Sequence, residues 1–203
     1  MRMLGRAVTR TEQEAVPRMA LRGKRRRPLE DRFALRFPML ATQINAWLAR
    51  VSLRVPRHWR LRQRLIEWAT WRAFNALSRG DVGVVRTITH AEAVWDLSRW
   101  DWPEESTYHG RDGAVRFNEH WLNQFSELNF DVFSTEEVEP GVIFIHVQLR
   151  GIGSASGAEV GRDVFELVRM RDGLVWRGTM FDSRAEAMAA ARASDSRAEP
   201  SPV

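Results

Sequence analysis

The strongest constraint on the fold of this chain is the alternation of apolar and polar residues in its last third. Residues 142–150 alternate so regularly that one side of an extended strand carries only aliphatic side chains: Ile143, Ile145, Val147 and Leu149. Residues 160–170 and 174–181 form a predicted hairpin around Arg171-Asp172-Gly173, because Asp-Gly is typical of tight turns. Together with residues 129–138, these segments predict four successive antiparallel strands, whose apolar side needs a helical layer to cover it.

Before these strands, the spacing of apolar residues predicts two helices. A short amphipathic helix is predicted over residues 39–51, where one stripe contains Leu40, Ile44, Trp47, Leu48 and Val51. This helix either docks on the domain behind it or lies on a membrane surface. A longer helix over residues 58–79 is apolar on several sides, which is typical of a helix between two layers, and it ends at Gly80.

Shorter elements connect the long helix to the strands. Asp81 is expected to cap a short helix, and residues 93–97 form a short predicted strand. An aromatic loop over residues 98–110 follows, and another helix begins near residue 111. A final helix is predicted after Ser183, because Ser183 and Glu186 have the spacing of a capping box.

The positive charge of the chain is concentrated near its N-terminus. Residues 1–64 contain 17 basic and 4 acidic residues, a net charge of +13, whereas the whole chain carries +5. Polar, highly charged segments bury too little surface to offset their ordering entropy, so residues 1–37 are expected to be disordered. Their basic cluster over residues 24–27 is either a tether for nucleic acid or anionic membrane or a solvated tail. A third alternative is a start codon placed too far upstream, since Met19 and Met39 are also available.

Several classes of protein find no support in the sequence. Cysteine is absent, which excludes disulfides and thiolate chemistry, and the five histidines lack the spacing of a metal site. The glycine motifs of phosphate loops and dinucleotide-binding folds are missing, and so is the GxSxG motif of serine hydrolases. We therefore expect neither a metal nor a cofactor. Because no apolar segment follows the basic start and no apolar run reaches membrane-spanning length, a cytoplasmic protein is expected.

The motifs ALSRGD (76–81), VWDL (94–97), YHGRDG (108–113), VQLRGIGSASG (147–157) and RDGLVWRGTMFD (171–182) resemble the SnoaL-like branch of the nuclear transport factor 2-like superfamily. The resemblance implies an α+β fold in which a cone-shaped, curved antiparallel sheet wraps around a long helix, a cystatin-like α+β barrel. The predicted organisation is a basic extension over 1–37, an amphipathic helix and linker over 38–57, the SnoaL-like domain over 58–193 and a disordered tail over 194–203.

The resemblance also implies candidate catalytic residues. Asp96 lies where ketosteroid isomerases carry a general base, and Asp182 lies where SnoaL-type cyclases and limonene-epoxide hydrolases carry an acid/base aspartate. Tyr108 or His146 would orient the substrate. An apolar pocket would raise the pKa of such a carboxyl toward neutrality. The structural alternatives are that Asp96 ends a strand, Asp182 belongs to a helix cap, and Tyr108 and His146 only pack.

Two departures argue against the best-known activities of the superfamily. Ala73 stands where isomerases carry a tyrosine, and no aspartate stands two residues after Arg150, where the hydrolase pattern has one. The sequence therefore predicts a domain that binds a small apolar molecule, either as a cofactor-free cyclase, isomerase or dehydratase or as a non-catalytic binding or dimerisation module. A homodimer is expected, paired through the sheet face that carries Phe144. The residues predicted to line the pocket are Phe74, Trp95, Trp100, Trp121, Phe144 and Trp176.

Overall fold

The structure is a computed structural model that describes residues 26–100 and 105–195. Within these residues the helices are α1 (Leu29–Arg36), α2 (Pro38–Arg54), α3 (Arg60–Ser78), α4 (Val82–Ile88), α5 (Gly110–Gln124) and α6 (Arg184–Asp195). The strands are β1 (Thr89–Asp96), β2 (Thr107–His109), β3 (Phe125–Glu139), β4 (Val142–Gly153), β5 (Glu159–Arg171) and β6 (Leu174–Phe181). The α+β class is confirmed, and α1 and β2 are two elements that the sequence pattern did not predict.

The six strands form one curved sheet in the order β2-β1-β6-β5-β4-β3. Strands β3 to β6 pair antiparallel, as predicted, and the turn between β5 and β6 places Asp172 and Gly173 at φ 54° and 78°. The sheet is not wholly antiparallel, because β1 runs parallel to β6. Pairing between distant segments decides this direction, and the short strand alone carries no signal for it.

Two apolar clusters lie on opposite faces of the sheet. The larger one fills the concave side, where α3 packs on β3 and α5 packs on β1; it includes Trp95, Phe117, Trp121, Ile145 and Val168. The smaller one lies under α6 and includes Phe144, Leu167, Phe181, Ala187 and Ala191. Alternation along the strands therefore supplies both layers, with odd-numbered residues of β4 on the concave side and Phe144 on the other.

The end of the predicted disordered extension is folded. Residues 29–36 form α1, which is held by the fully buried Asp31; its carboxylate accepts hydrogen bonds from Arg72 (2.9 Å) and Arg79. Charged residues that suggested disorder thus form a buried ion-pair network between α1 and α3. Residues 24 and 25 of the predicted basic cluster and residues 196–203 of the predicted tail lie outside the described residues, and α6 extends into the predicted tail as far as Asp195.

Asp81 precedes α4 as predicted, but its side chain does not cap that helix. Its carboxylate instead accepts hydrogen bonds from Arg27 and Arg79. Burial by itself raises the pKa of Asp81, but these hydrogen bonds outweigh it and hold the pKa below its usual value. This aspartate therefore fastens the segment before α1 to the domain.

Helix α2 forms as predicted but buries a different side. Its small residues Ala41 and Ala46 are buried and its Asn45 donates a hydrogen bond to Thr87 of α4, whereas the predicted apolar stripe lies on the surface. Trp47 of this stripe is 56% exposed. Among the described residues, no helix combines the length and the apolar character needed to cross a bilayer.

Candidate functional site

A cavity of about 260 Å³ lies between α3 and the concave side of the sheet. Its wall is built from α3 (Phe74, Leu77), from β1 and α5 (Trp95, Phe117, Trp121) and from the strands (Ile145, Val147, Val164, Val168, Met180). It opens between α2 and α3, because its lining includes two partly exposed side chains, Leu48 (43%) and Trp68 (47%). Such a volume and lining suit a small, mostly apolar ligand.

The chemically distinctive group on this wall is Glu166. It lies in the middle of β5, opposite Ile145 of β4 and Met180 of β6, and is only 4% exposed. Its Oε1 atom has no hydrogen-bond partner in the structure. Burial raises the pKa of Glu166 to about 8, since an ionised carboxylate loses its hydration in an apolar surrounding. At neutral pH this carboxyl is therefore mostly protonated and can donate a hydrogen bond into the cavity.

Apart from Glu166 and Arg72, the polar side chains of the wall are uncharged: they are Asn45, Ser52, Thr70, Thr89 and Asn118, together with the tryptophan N–H groups. The Trp95 indole N–H also lacks a hydrogen-bond partner, and its ring packs against Gly178, where a Cβ would come within 2.4 Å of the indole. Arg72 lies on the wall as well, but its guanidinium is held by Asp31. Glu166 is thus the one carboxyl on the cavity wall among the described residues.

The structure places three of the six predicted ligand-binding aromatics on the cavity wall: Phe74, Trp95 and Trp121. The other three lie elsewhere. Trp100 packs on Trp121 at 5.1 Å between ring centres, behind the wall, and Trp176 lies beneath the Arg171 guanidinium at 5.6 Å. Phe144 is fully buried under α6 on the opposite face of the sheet, so that face is not free to pair with a second copy at this residue.

The two predicted catalytic aspartates lie outside the cavity wall, and each has its own hydrogen-bond partners. Asp96 follows Trp95, which faces the cavity, so the alternation of a strand turns Asp96 to the other side. There its carboxylate accepts hydrogen bonds from the backbone N–H and the hydroxyl of Ser98, at 3.0 and 2.6 Å. Asp182 is exposed at the end of β6 and pairs with Arg162.

Tyr108 and His146 also lie off the wall. Tyr108 is fully buried, and its hydroxyl lies 3.2 Å from Nδ1 of His120. His146 lies on the side of β4 opposite Ile145, where its ring stacks on Phe165 at 4.6 Å and its Nε2 lies 3.1 Å from Asp163. Both residues therefore have packing partners that account for their positions.

Glu166 is not among the site residues predicted from the sequence, although the pattern of β5 contains a signal for it. Val164, Val168 and Met170 occupy alternate positions, and Glu166 is the single acid in that apolar series. An acid on an apolar strand face is a candidate for a buried, functional carboxyl. In the part of the chain that the structure describes, no group of three or more His, Asp or Glu side chains is placed to hold a metal ion.

Comparison with known proteins agrees with this architecture. The sequence profile of the SnoaL-like domain matches residues 71–178. A structure assigned as a SnoaL-like polyketide cyclase from Jannaschia sp. CCS1 is 19% identical, covering 63% of this chain and 92% of its own, with a TM-score of 0.50. A nuclear transport factor 2-like protein of unknown function from Burkholderia pseudomallei K96243 is 16% identical, covering 61% and 94%, also with a TM-score of 0.50. No curated protein matches the chain.

Proposed function

Since the chain belongs to the SnoaL-like domain family, we propose that its cavity binds a small, mostly apolar molecule that carries an oxygen acceptor. The observation that carries this proposal is the buried carboxyl of Glu166, which has an unpartnered oxygen on an apolar wall. A buried polar group without a partner costs free energy, and a ligand oxygen that pairs with it recovers that cost. Phe74, Trp95 and Trp121 supply the apolar contacts.

The chemistry that suits this site is proton transfer without a cofactor. With a pKa of about 8, Glu166 is protonated often enough to act as an acid and ionised often enough to act as a base. A single carboxyl can take a proton from a carbon next to a carbonyl and return it to another carbon, so an isomerisation balances without a second group. Glu166 thereby takes the acid/base role that sequence analysis gave to Asp96 and Asp182.

The binding part of the proposal is tested with 2-naphthol and naphthalene, which differ by one hydroxyl group. We expect the wild type to prefer 2-naphthol, because its oxygen pairs with Glu166. Glu166→Leu should reduce this preference by about five- to tenfold, since the lost hydrogen bond is worth roughly 1–1.5 kcal/mol. Glu159→Gln, an exposed change on the same strand, should leave the preference unchanged. An unaltered preference in Glu166→Leu would contradict the proposed contact.

The location of the site is tested at the cavity mouth. Ala69 lines the opening and is exposed on α3, so Ala69→Trp should block entry without disturbing the core. Ala189→Trp, an equally exposed position on α6, is the matched control. Binding of 2-naphthol should be lost in the first variant and kept in the second. Retention in both would place the ligand elsewhere.

The catalytic part is tested by hydrogen exchange in D2O at the carbon next to the carbonyl of 2-tetralone, a two-ring ketone. Exchange should follow the ionised fraction of Glu166 and level off above about pH 8. Glu166→Gln should lower the rate about 100-fold or more, the usual contribution of a positioned base. Binding of the ketone without faster exchange would favour the alternative function, a non-catalytic ligand-binding module.

Three further expectations accompany this function as proposals. The first is a homodimer, which must use a surface other than Phe144, because α6 covers that residue. The second is a cytoplasmic location. The third is that the basic segment over residues 1–37 tethers the protein to nucleic acid or to an anionic membrane.

A further inference from the structure

Exposed apolar side chains are concentrated in one part of the described chain. Of the thirteen large apolar residues on the surface, twelve lie between residues 29 and 68, and only Val160 lies elsewhere. Scattered apolar residues on a surface are ordinary, but a contiguous set of this size marks an interaction site.

The central part of this set forms one surface, which we name the apolar face: Leu40, Ile44, Trp47, Leu48 and Val51 of α2 with Leu61 and Trp68 of α3. Helical spacing puts the α2 residues in a single stripe, and Leu61 and Trp68 are two turns apart on one side of α3. Leu48 and Trp68 also line the opening of the cavity. The mouth of the candidate ligand site therefore lies within the apolar face.

Arginines accompany the apolar face. Residues 26–72 contain eleven arginines and three acidic residues; four of the arginines are held in ion pairs with buried carboxylates, which leaves seven. Arg54 follows Val51 by three positions, and Arg64 lies three positions after Leu61 and four before Trp68, so these exposed guanidinium groups share helix sides with the apolar face. The surface thus combines apolar and aromatic side chains with positive charge.

This combination distinguishes between possible occupants. In a symmetric dimer through the apolar face, arginines of one copy would meet arginines of the other, and like charges oppose such a contact. An anionic bilayer instead supplies both complements, with acyl chains for the apolar side chains and negative headgroups for the arginines. Tryptophan at positions 47 and 68 also suits the boundary between acyl chains and water.

We propose that the apolar face docks on the surface of an anionic lipid bilayer and turns the mouth of the cavity toward the acyl chains. In this arrangement α2 lies in the plane of the interface. The docking goes beyond the proposed ligand chemistry and does not depend on the role of Glu166.

The experiment uses the full chain and vesicles of phosphatidylcholine alone or with about one third phosphatidylglycerol, at physiological salt. We expect flotation with the anionic vesicles. Arg54→Glu combined with Arg64→Glu should lower the partition coefficient by about tenfold or more. Arg116→Glu combined with Arg192→Glu changes the net charge by the same amount at exposed positions on α5 and α6 and should leave the partition coefficient within about twofold of the wild type.

Because the chain contains no cysteine, a fluorophore on a single introduced cysteine reports whether that position enters the bilayer. A polarity-sensitive fluorophore on Trp47→Cys should shift to the blue on anionic vesicles, whereas the same fluorophore on Val160→Cys should stay in water. Both positions are exposed, so neither variant disturbs the core.

Three outcomes would overturn the inference. The first is that the protein fails to float with anionic vesicles, and the second is that both double arginine variants bind equally. The third is that the fluorophore at position 47 stays in water while the protein floats, which would assign binding to another segment. A dimer in solution that Trp47→Arg dissociates, without any binding to vesicles, would assign the apolar face to a second copy. Retained 2-naphthol binding alongside any of these would leave the proposed function standing.

Discussion

Glu166 should make the protein less stable as the pH rises through the neutral range. Its pKa is about 8 in the folded protein and has an ordinary value of 4.5, which applies when the chain unfolds. Between these values the folded state binds a proton that the unfolded state has lost. The stabilising contribution of protonated Glu166 to the free energy of unfolding is therefore fully present below pH 4.5 and is lost as the pH rises toward 8.

The magnitude follows from the two pKa values. The two pKa values differ by about 3.5, and a difference of one corresponds to about 1.4 kcal/mol. The free energy of unfolding therefore falls by about 5 kcal/mol over the whole range, and by about 2–3 kcal/mol between pH 5 and pH 7. This is a large part of the stability of an ordinary domain. Glu166→Gln keeps the shape of the side chain but never ionises, so it should lack this part of the pH dependence.

The assay is urea unfolding of the wild type and Glu166→Gln at pH 5, 6, 7 and 8. The two proteins should be similar at pH 5, and the glutamine variant should become the more stable one as the pH rises. Glu159→Gln, on the same strand but exposed, should follow the wild type. Parallel profiles for wild type and Glu166→Gln would refute the reasoning, because they would mean that Glu166 ionises alike in the folded and unfolded chain.

Three further predictions concern stability. Asp31→Ala leaves two guanidinium groups without their buried carboxylate and should cost about 3–5 kcal/mol in urea unfolding, whereas Glu30→Ala beside it is exposed and should cost little. Gly178→Ala brings a Cβ within 2.4 Å of an indole ring and should lower stability by about 1–3 kcal/mol and weaken 2-naphthol binding; Gly161→Ala meets open space and should do neither. Burial raises the pKa of Glu137, but hydrogen bonds from a guanidinium and a backbone N–H outweigh it and leave the pKa below its usual value of 4.5. The stabilising contribution of ionised Glu137 is therefore present above pH 4.5 and is lost as the pH falls below that value. The urea midpoint should accordingly drop less between pH 6 and pH 3 in Glu137→Gln than in the wild type.

Local patterns were sufficient for most of the secondary structure. The alternation over residues 142–150 and the Asp172-Gly173 turn predict β4, β5 and β6 closely, because strand periodicity and turn conformation depend on neighbouring residues. Helix α1 escaped prediction for the opposite reason. Its stability depends on ion pairs between Asp31 and arginines that are 41 and 48 residues away, which no local pattern records.

The sequence by itself determined most of the elements, their order and the resemblance to the family, whereas only the tertiary structure decided α1, β2 and the candidate site. Periodicity places a side chain on one face of its own strand or helix, but the surroundings of that face come from other segments. The predicted carboxyls Asp96 and Asp182 thus lie off the cavity wall, and Glu166 lies on it. The stripe of α2 is likewise evident from spacing alone, yet its exposure follows from packing α2 through its alanines. Burial, and with it the pKa of a carboxyl, is a property of the assembled layers rather than of any single element.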